Sequence, residues 1–148
     1  MDRRTGIRGS RTTRRRWVLV NYLSISLFLV LWYALPDSQR SRPIWLAVLL
    51  ALLGTAGLSF TTAHLRTGLW RLVHIKSETL DERENHVTLD ALRFSYATFA
   101  VACLTIILAQ SIAGQHGIVL FDVVLPAILI YVAHTLPSSV IAWKEREV

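Results

Sequence analysis

The sequence predicts an all-α fold, a bundle of four membrane-spanning helices, from the spacing of its charged residues and its composition. Four long stretches of the 148-residue chain have no charged side chain, with His counted as neutral: residues 17–36, 43–64, 94–121 and 123–143. A helix needs about 20 apolar residues to cross the hydrocarbon core, where a charge is costly. Hydrophobic residues make up 53% of the chain. Four such spans leave little of it for a folded domain outside the membrane.

The first two spans are expected to form a hairpin. Residues 1–16 carry seven arginines against Asp2 and show no hydrophobic periodicity, so we expect a disordered basic tail there. Span one should occupy about residues 17–35, stopped by Pro36, and span two about residues 44–64. The short loop between them makes the two helices antiparallel neighbours. The middle of span two is rich in small residues that allow close helix contact: Gly54, Thr55, Ala56, Gly57 and Ser59.

A charged helix start precedes the third span. Thr79 and Glu82 have the spacing of a capping box, and the acidic residues nearby stand where the helix dipole favours negative charge. Residues 80–113 contain no Gly or Pro, so we expect one unbroken helix that becomes span three at about residues 94–113. The motif at its start comprises Thr79, Asp81, Glu82, Arg83 and Glu84.

The fourth span is expected at about residues 118–143, after a turn at 114–117 and before a short polar tail, 144–148. Pro126 would lie about two turns into this helix and Pro137 near its far end. Membrane helices tolerate such prolines when neighbouring groups satisfy the carbonyls that they free.

The distribution of Arg and Lys predicts the orientation. Seven precede span one, five lie in residues 64–93 and two follow span four, fourteen in all, against two in the loop 36–43 and none in the turn 114–117. Positively charged segments stay in the cytoplasm. We therefore expect a multi-pass protein of the cell (inner or plasma) membrane, with both termini and the charged helix start in the cytoplasm.

The arginines next to span one predict contact with anionic lipid headgroups, which attract near-surface cations by about 1 kcal/mol each. The residues nearest the span are Arg14, Arg15 and Arg16. A specific nucleic-acid partner is not expected, because the tail has no folded reader and no interleaved aromatic residues.

Polar groups inside the spans are the candidates for function. His134 and Asn21 lie in the inner parts of spans four and one, Asp122 at the outer mouth of span four and Gln110 near the outer end of span three. Such groups are functional candidates, but they also join helices by hydrogen bonds. We expect His134 to pair with Asn21, which lies at the same level, or with a carbonyl freed by Pro137. The alternative is a proton or ion pathway.

Metal and catalytic chemistry have little support. Glu82, His86 and Asp90 share one helix face, but the outer pair is about 12 Å apart, too far for a compact metal site. A solvated face with His86–Asp90 and Asp90–Arg93 pairs is expected instead. Cys103 is the only cysteine, so no disulfide forms within the chain. No sequence motif of a hydrolase, a zinc protease or a nucleotide-binding protein occurs, and no cofactor is expected.

One family combines several features of residues 80–145. These are the run Asp81-Glu82-Arg83 before span three, the residues Ala91, Tyr96 and Phe99, and a final span that ends Leu136-Pro-Ser-Ser-Val-Ile-Ala-Trp143-Lys-Glu. The arrangement resembles small four-span bacterial membrane proteins, actinobacterial in type, that carry a DER motif before span three. The resemblance implies a four-helix membrane fold. It implies no chemistry, because these families are uncharacterised.

Together these patterns favour a non-enzymatic membrane protein, an accessory, regulatory or scaffold subunit that acts through helix–helix contacts. A small oligomeric transporter or channel that uses His134, Asp122 and Asn21 is the alternative, and a membrane enzyme is third. The expected partners are the lipid bilayer, with anionic headgroups at the basic N-terminus, and a second copy of the chain or another membrane protein.

Overall fold

The computed structural model describes residues 10–74, 82–115 and 122–144, and these ranges contain helices and no strand. Within these ranges four helices are long and apolar enough to cross a membrane, so the predicted all-α fold with four membrane-spanning helices is confirmed. The α-helices are α1 (Arg11–Ala34), α2 (Asp37–Arg40), α3 (Pro43–Phe60), α4 (Leu69–His74), α5 (Glu82–Gln115) and α6 (Val124–Lys144); a π-helical turn, Thr61–Leu65, extends α3.

The chain divides into two compact units, residues 1–71 with 142–148 and residues 72–141. In the first unit α1 and α3 form the expected hairpin and pack against each other. The buried residues of α1 recur every three or four positions, as one face of an α-helix requires. Its buried residues are Arg14, Val18, Asn21, Ser24, Ile25 and Phe28, and those of α3 are Leu49, Ala56 and Ser59.

The first helix begins earlier than the composition predicts. Ser10 is its N-cap, and the Ser10 hydroxyl accepts a hydrogen bond from the Thr13 backbone N–H at 3.2 Å. The predicted disorder is therefore wrong for residues 11–16, which are helical, while residues 1–9 lie outside the described ranges. The physical reason is a long-range acceptor, the Trp143 carbonyl, to which the Arg11 and Arg15 side chains donate.

The end of the second span departs from regular α-helix. The π-helical turn inserts wider hydrogen-bonded rings at Thr61–Leu65. The hydroxyls of Thr61 and Thr62 both donate to the Leu58 carbonyl, each at 2.8 Å. Gly68 then takes a φ of 79°, a left-handed conformation that glycine adopts without strain, and α4 starts at the next residue.

In the second unit α5 is one continuous helix of 34 residues. At about 1.5 Å per residue it is about 51 Å long, against about 30 Å for the hydrocarbon core. The prediction of an unbroken helix into span three is confirmed from Glu82 onward, whereas Thr79 lies outside the described residues. Near the start of α5, Thr88 is buried and donates to the Leu72 carbonyl at 3.4 Å.

The described part of the last helix starts at Val124, later than the predicted residue 118; residues 116–121 lie outside the described ranges. Pro126 therefore stands in the first turn rather than two turns inside. A backbone N–H there has no acceptor within the helix, so the proline removes no helical bond. Pro137 lies inside the helix, as predicted. The helix continues to Lys144, the first residue of the predicted tail, and residues 145–148 are not described.

Candidate functional site

Asn21 joins α1 to α3 inside the first unit. Its side-chain Nδ2 donates to the Ala56 carbonyl at 2.8 Å and to the Ser59 hydroxyl oxygen at 3.1 Å. The Ser59 hydroxyl in turn donates to the Ala56 carbonyl at 2.9 Å. Asn21 and Ser59 are both fully buried. Asn21 thus joins two helices by hydrogen bonds, whereas its predicted pairing with His134, a residue of the second unit, stays a prediction.

His134 has other partners in the second unit. Its Nδ1 lies 2.8 Å from the Ile130 carbonyl oxygen, one turn back on α6. A carbonyl only accepts, so Nδ1 carries the hydrogen of this bond. The His134 ring also stacks on His74 at the end of α4, with 6.5 Å between ring centroids and 8° between ring planes. His134 therefore contacts its own helix and α4.

His64 is a buried polar residue that the sequence did not single out. It lies in the π-helical turn, is 0% exposed, and packs against the Phe60 ring at 5.2 Å between centroids. Phe60 also meets Trp70 edge-on at 5.3 Å. The available signal was the position of a histidine next to the small residues of span two. The burial of His64 was not predicted, because a histidine at the end of a span is expected near water.

Two arginines of α1 hold the end of α6, and we call Arg11, Arg15 and Trp143 the Trp143 clasp. The guanidinium groups of Arg11 and Arg15 donate to the Trp143 carbonyl at 3.0 Å and 2.7 Å. The Arg15 guanidinium also lies 4.5 Å from the centroid of the Trp143 ring, in a cation–π contact. Although 128 residues separate Arg15 from Trp143, both belong to the first unit.

The predicted headgroup arginines therefore differ in their surroundings. Arg14 is only 2% exposed, so the prediction that it contacts lipid headgroups is wrong for this side chain. Arg15 is half-buried in the Trp143 clasp. Arg16 is exposed, as contact with headgroups requires. The reason for the difference is the helical geometry of residues 11–16, which turns successive arginines to different faces.

A second arginine–tryptophan contact closes the other end of α1. Arg40 donates to the Trp32 carbonyl at 3.0 Å, and its guanidinium lies 4.7 Å from the centroid of the Trp32 ring. Arg40 also forms an ion pair with Asp37. Each end of α1 thus has an arginine that binds a tryptophan through both the backbone carbonyl and the ring.

Asp122 and Gln110 both lie near helix ends. The Asp122 carboxylate accepts a hydrogen bond from the Val124 backbone N–H at 3.0 Å, and so caps the start of α6. His116, which could pair with Asp122, lies outside the described residues. Gln110 is half-buried near the end of α5.

The acidic motif lies on the start of α5, where Glu82 and Arg83 are exposed and Glu84 is half-buried; Asp81 is outside the described ranges. The predicted pairing of His86 with Asp90 is confirmed, with 3.4 Å between Nδ1 and Oδ2. Both side chains are exposed. Within the described ranges no three His, Cys, Asp or Glu side chains approach closely enough to hold a metal ion.

The chemistry of these groups is that of hydrogen bonding between and within helices. Hydroxyls along the spans donate to carbonyls of their own helix, as Thr98 does to Phe94 at 2.9 Å and Ser139 to Thr135 at 2.9 Å.

No family model, curated protein or solved structure matches the chain.

Proposed function

We propose that this chain is a non-enzymatic membrane protein that acts by binding, as an accessory, regulatory or scaffold subunit whose contacts are made between membrane-spanning helices. One observation carries the proposal. In the most apolar stretch of 18 consecutive residues of α5 no residue is buried within the described chain, whereas the corresponding stretches of α1, α3 with its π turn, and α6 are 28%, 17% and 33% buried. The third span therefore leaves most of its surface to lipid or to another protein, and only a stripe that includes Phe99, Cys103, Ile106 and Gln110 is partly covered.

The composition of α5 supports a protein neighbour. Its exposed surface includes the small residues Thr98, Ala102 and Thr105, spaced alternately by four and three residues along one face. Small residues let helix backbones approach closely in membranes. The hydroxyl of Thr105 donates to the Val101 carbonyl at 2.9 Å, as that of Thr98 does to its own helix, so neither leaves an unsatisfied donor at such a contact.

The small residues of α3 also support it. Ala56 and Ser59 face α1, but a Cβ atom added at Gly54 or Gly57 would meet no other atom within 4 Å. Part of the small-residue surface that the sequence marks for helix contact is thus open. It leaves α3 room for a further helix beside the hairpin.

The alternative function, a small transporter or channel, has less support. It needs polar side chains that line a common path, and each candidate has a local structural partner instead. Asn21 bonds to α3, Asp122 caps α6, and His134 bonds to its own helix and stacks on His74. Groups that bond to local structural partners favour a structural role.

The proposal places the chain in the cell (inner or plasma) membrane with both termini in the cytoplasm. The support is the fourteen Arg and Lys residues on one side against two on the other. The Trp143 clasp agrees, because it brings the start of α1 and the end of α6 to the same level. With four spans, an even number, the start of the first span and the end of the last must lie on the same side of the membrane.

Photo-crosslinking in native membranes tests the proposal. Leu104 and Leu108 on α5 are 66% and 62% exposed, and each is replaced in turn by the photoreactive residue benzoylphenylalanine. Leu23 on α1, 65% exposed, is the matched control for a position that faces lipid. We expect discrete protein adducts from the α5 positions and lipid adducts alone from position 23.

The mass of the adduct identifies the partner class. An adduct of twice the chain mass of 16.7 kDa indicates a second copy, and any other discrete mass indicates a different membrane protein. Lipid adducts alone at both α5 positions would show that lipid covers this span, and the binding proposal would then be wrong.

A further inference from the structure

The Trp143 clasp satisfies a group that a helix cannot satisfy by itself. The Trp143 carbonyl lies in the last turn of α6, where carbonyls have no N–H partner within the helix. This end of the helix carries the negative pole of its dipole. The Arg11 and Arg15 guanidinium groups supply both the donors and the positive charge, at 3.0 Å and 2.7 Å.

The start of α1 is electrostatically unfavourable without the clasp. Four arginines occupy its first six residues, Arg11–Arg16, and its first turn contains no acidic residue. Positive charge opposes the dipole at a helix N-terminus. The clasp offsets this by setting two of these arginines against the negative end of α6, so the position of the α1 start and that of the α6 end depend on each other.

The side chains around the clasp are of the kind found at the membrane–water interface. Trp17 and Trp143 are 37% and 40% exposed, as is typical of tryptophans at the membrane–water interface. Arg16, on the same turn as Arg15, is exposed. Hydrogen bonds from arginine to phosphate join two opposite charges and are often bidentate, and are therefore stronger than bonds to a neutral carbonyl.

We propose that the Trp143 clasp is a latch that responds to anionic lipid: headgroup phosphates compete with the Trp143 carbonyl for Arg11 and Arg15, and release the end of α6 from the start of α1. Zwitterionic lipid leaves the latch closed, because it lacks the net negative surface potential that concentrates arginine at the headgroups.

The test is ¹⁹F NMR of the full chain, labelled with 5-fluorotryptophan, in lipid nanodiscs. The chain has five tryptophans, and the Trp143 resonance is assigned by its loss in Trp143→Phe. Arg15→Gln removes the cation over the Trp143 ring and gives the resonance position of the open latch. Arg16→Gln removes the same charge from the neighbouring position without touching Trp143 and is the matched control. The other four resonances report whether each variant keeps its fold, and Arg11→Gln, which removes the other donor to the Trp143 carbonyl, replaces Arg15→Gln if that variant does not.

In phosphatidylcholine discs we expect Arg15→Gln to shift the Trp143 resonance and Arg16→Gln to leave it in place. Added phosphatidylglycerol should move the wild-type resonance toward the Arg15→Gln position, while inorganic phosphate at equal ionic strength should not. The same wild-type position in both lipids would overturn the latch. A shift with inorganic phosphate alone would overturn its assignment to lipid.

Discussion

Asn21 shows how a single buried amide holds two spans together. It donates to the Ala56 carbonyl and to the Ser59 hydroxyl, and no part of it is exposed. Hydrogen bonds between membrane helices contribute about 0.6 kcal/mol on average and up to about 1.7 kcal/mol. Two such bonds, added to tight packing, make Asn21 a principal contact of the α1–α3 hairpin.

We predict that Asn21→Ala lowers the free energy of unfolding by about 1–2 kcal/mol, because it removes both bonds and leaves a small cavity. Ser24→Ala is the control. Ser24 is also buried, but its hydroxyl donates to the Val20 carbonyl of its own helix at 2.7 Å, so its loss should change stability by less than about 0.5 kcal/mol. Equilibrium unfolding in mixed detergent measures both. Equal losses in the two variants would show that the bonds to α3 contribute nothing specific.

The residue types of the polar core were predictable from the sequence, but their partners were not. Asn21 stood out because an amide inside an apolar span needs a partner. Its main acceptor is the backbone carbonyl of Ala56, which no side-chain pattern reveals. His64 was missed because its burial depends on the π-helical turn and on Phe60 beside it.

The start of α6 shows how a helix end is fixed. The Asp122 carboxylate accepts from the Val124 N–H, and Pro126 in the same turn has no N–H to satisfy. Each buried or membrane-facing donor at a helix start needs an acceptor, because lipid offers none. The Asp122 carboxylate accepts from one N–H of the first turn, and Pro126 has no N–H there, so two positions need no further acceptor.

We predict that Asp122→Ala costs about 1 kcal/mol of helix stability through loss of this cap, and that Asp122→Asn costs only a few tenths, because asparagine caps as well as aspartate. Hydrogen exchange of the amides in the first turns of α6 measures the effect. Equal damage by Asn and Ala would mean that the negative charge matters rather than the cap, and would favour the ion pathway.

At this scale the sequence predicted each span but misplaced some of its ends. The unbroken α5 followed from the absence of Gly and Pro. The start of α1 did not follow, since an arginine-rich segment has the composition of disorder and its acceptor, the Trp143 carbonyl, lies 132 residues from Arg11. Helix ends depend on partners distant in the chain, whereas spans depend on local composition.

Within the first unit, arginine–tryptophan contacts lie at both ends of α1. The contact of Arg40 with Trp32 closes one end and the Trp143 clasp the other. Tryptophans favour the interface, and arginines beside them stay in water. The two contacts lie at opposite ends of α1, beside α2 at one end and beside the last turn of α6 at the other.

The central claim, four spans with both ends of the chain in the cytoplasm, is tested most directly by reporters inserted into the full chain. Alkaline phosphatase is active only outside the cytoplasm. Green fluorescent protein fluoresces in the cytoplasm, but not after export through the general secretion pathway. We predict phosphatase activity for insertions after Arg40 and Gln115, and fluorescence for insertions after His74 and Val148. Phosphatase activity after Val148, or fluorescence after Arg40, would contradict the four-span orientation derived from the charges.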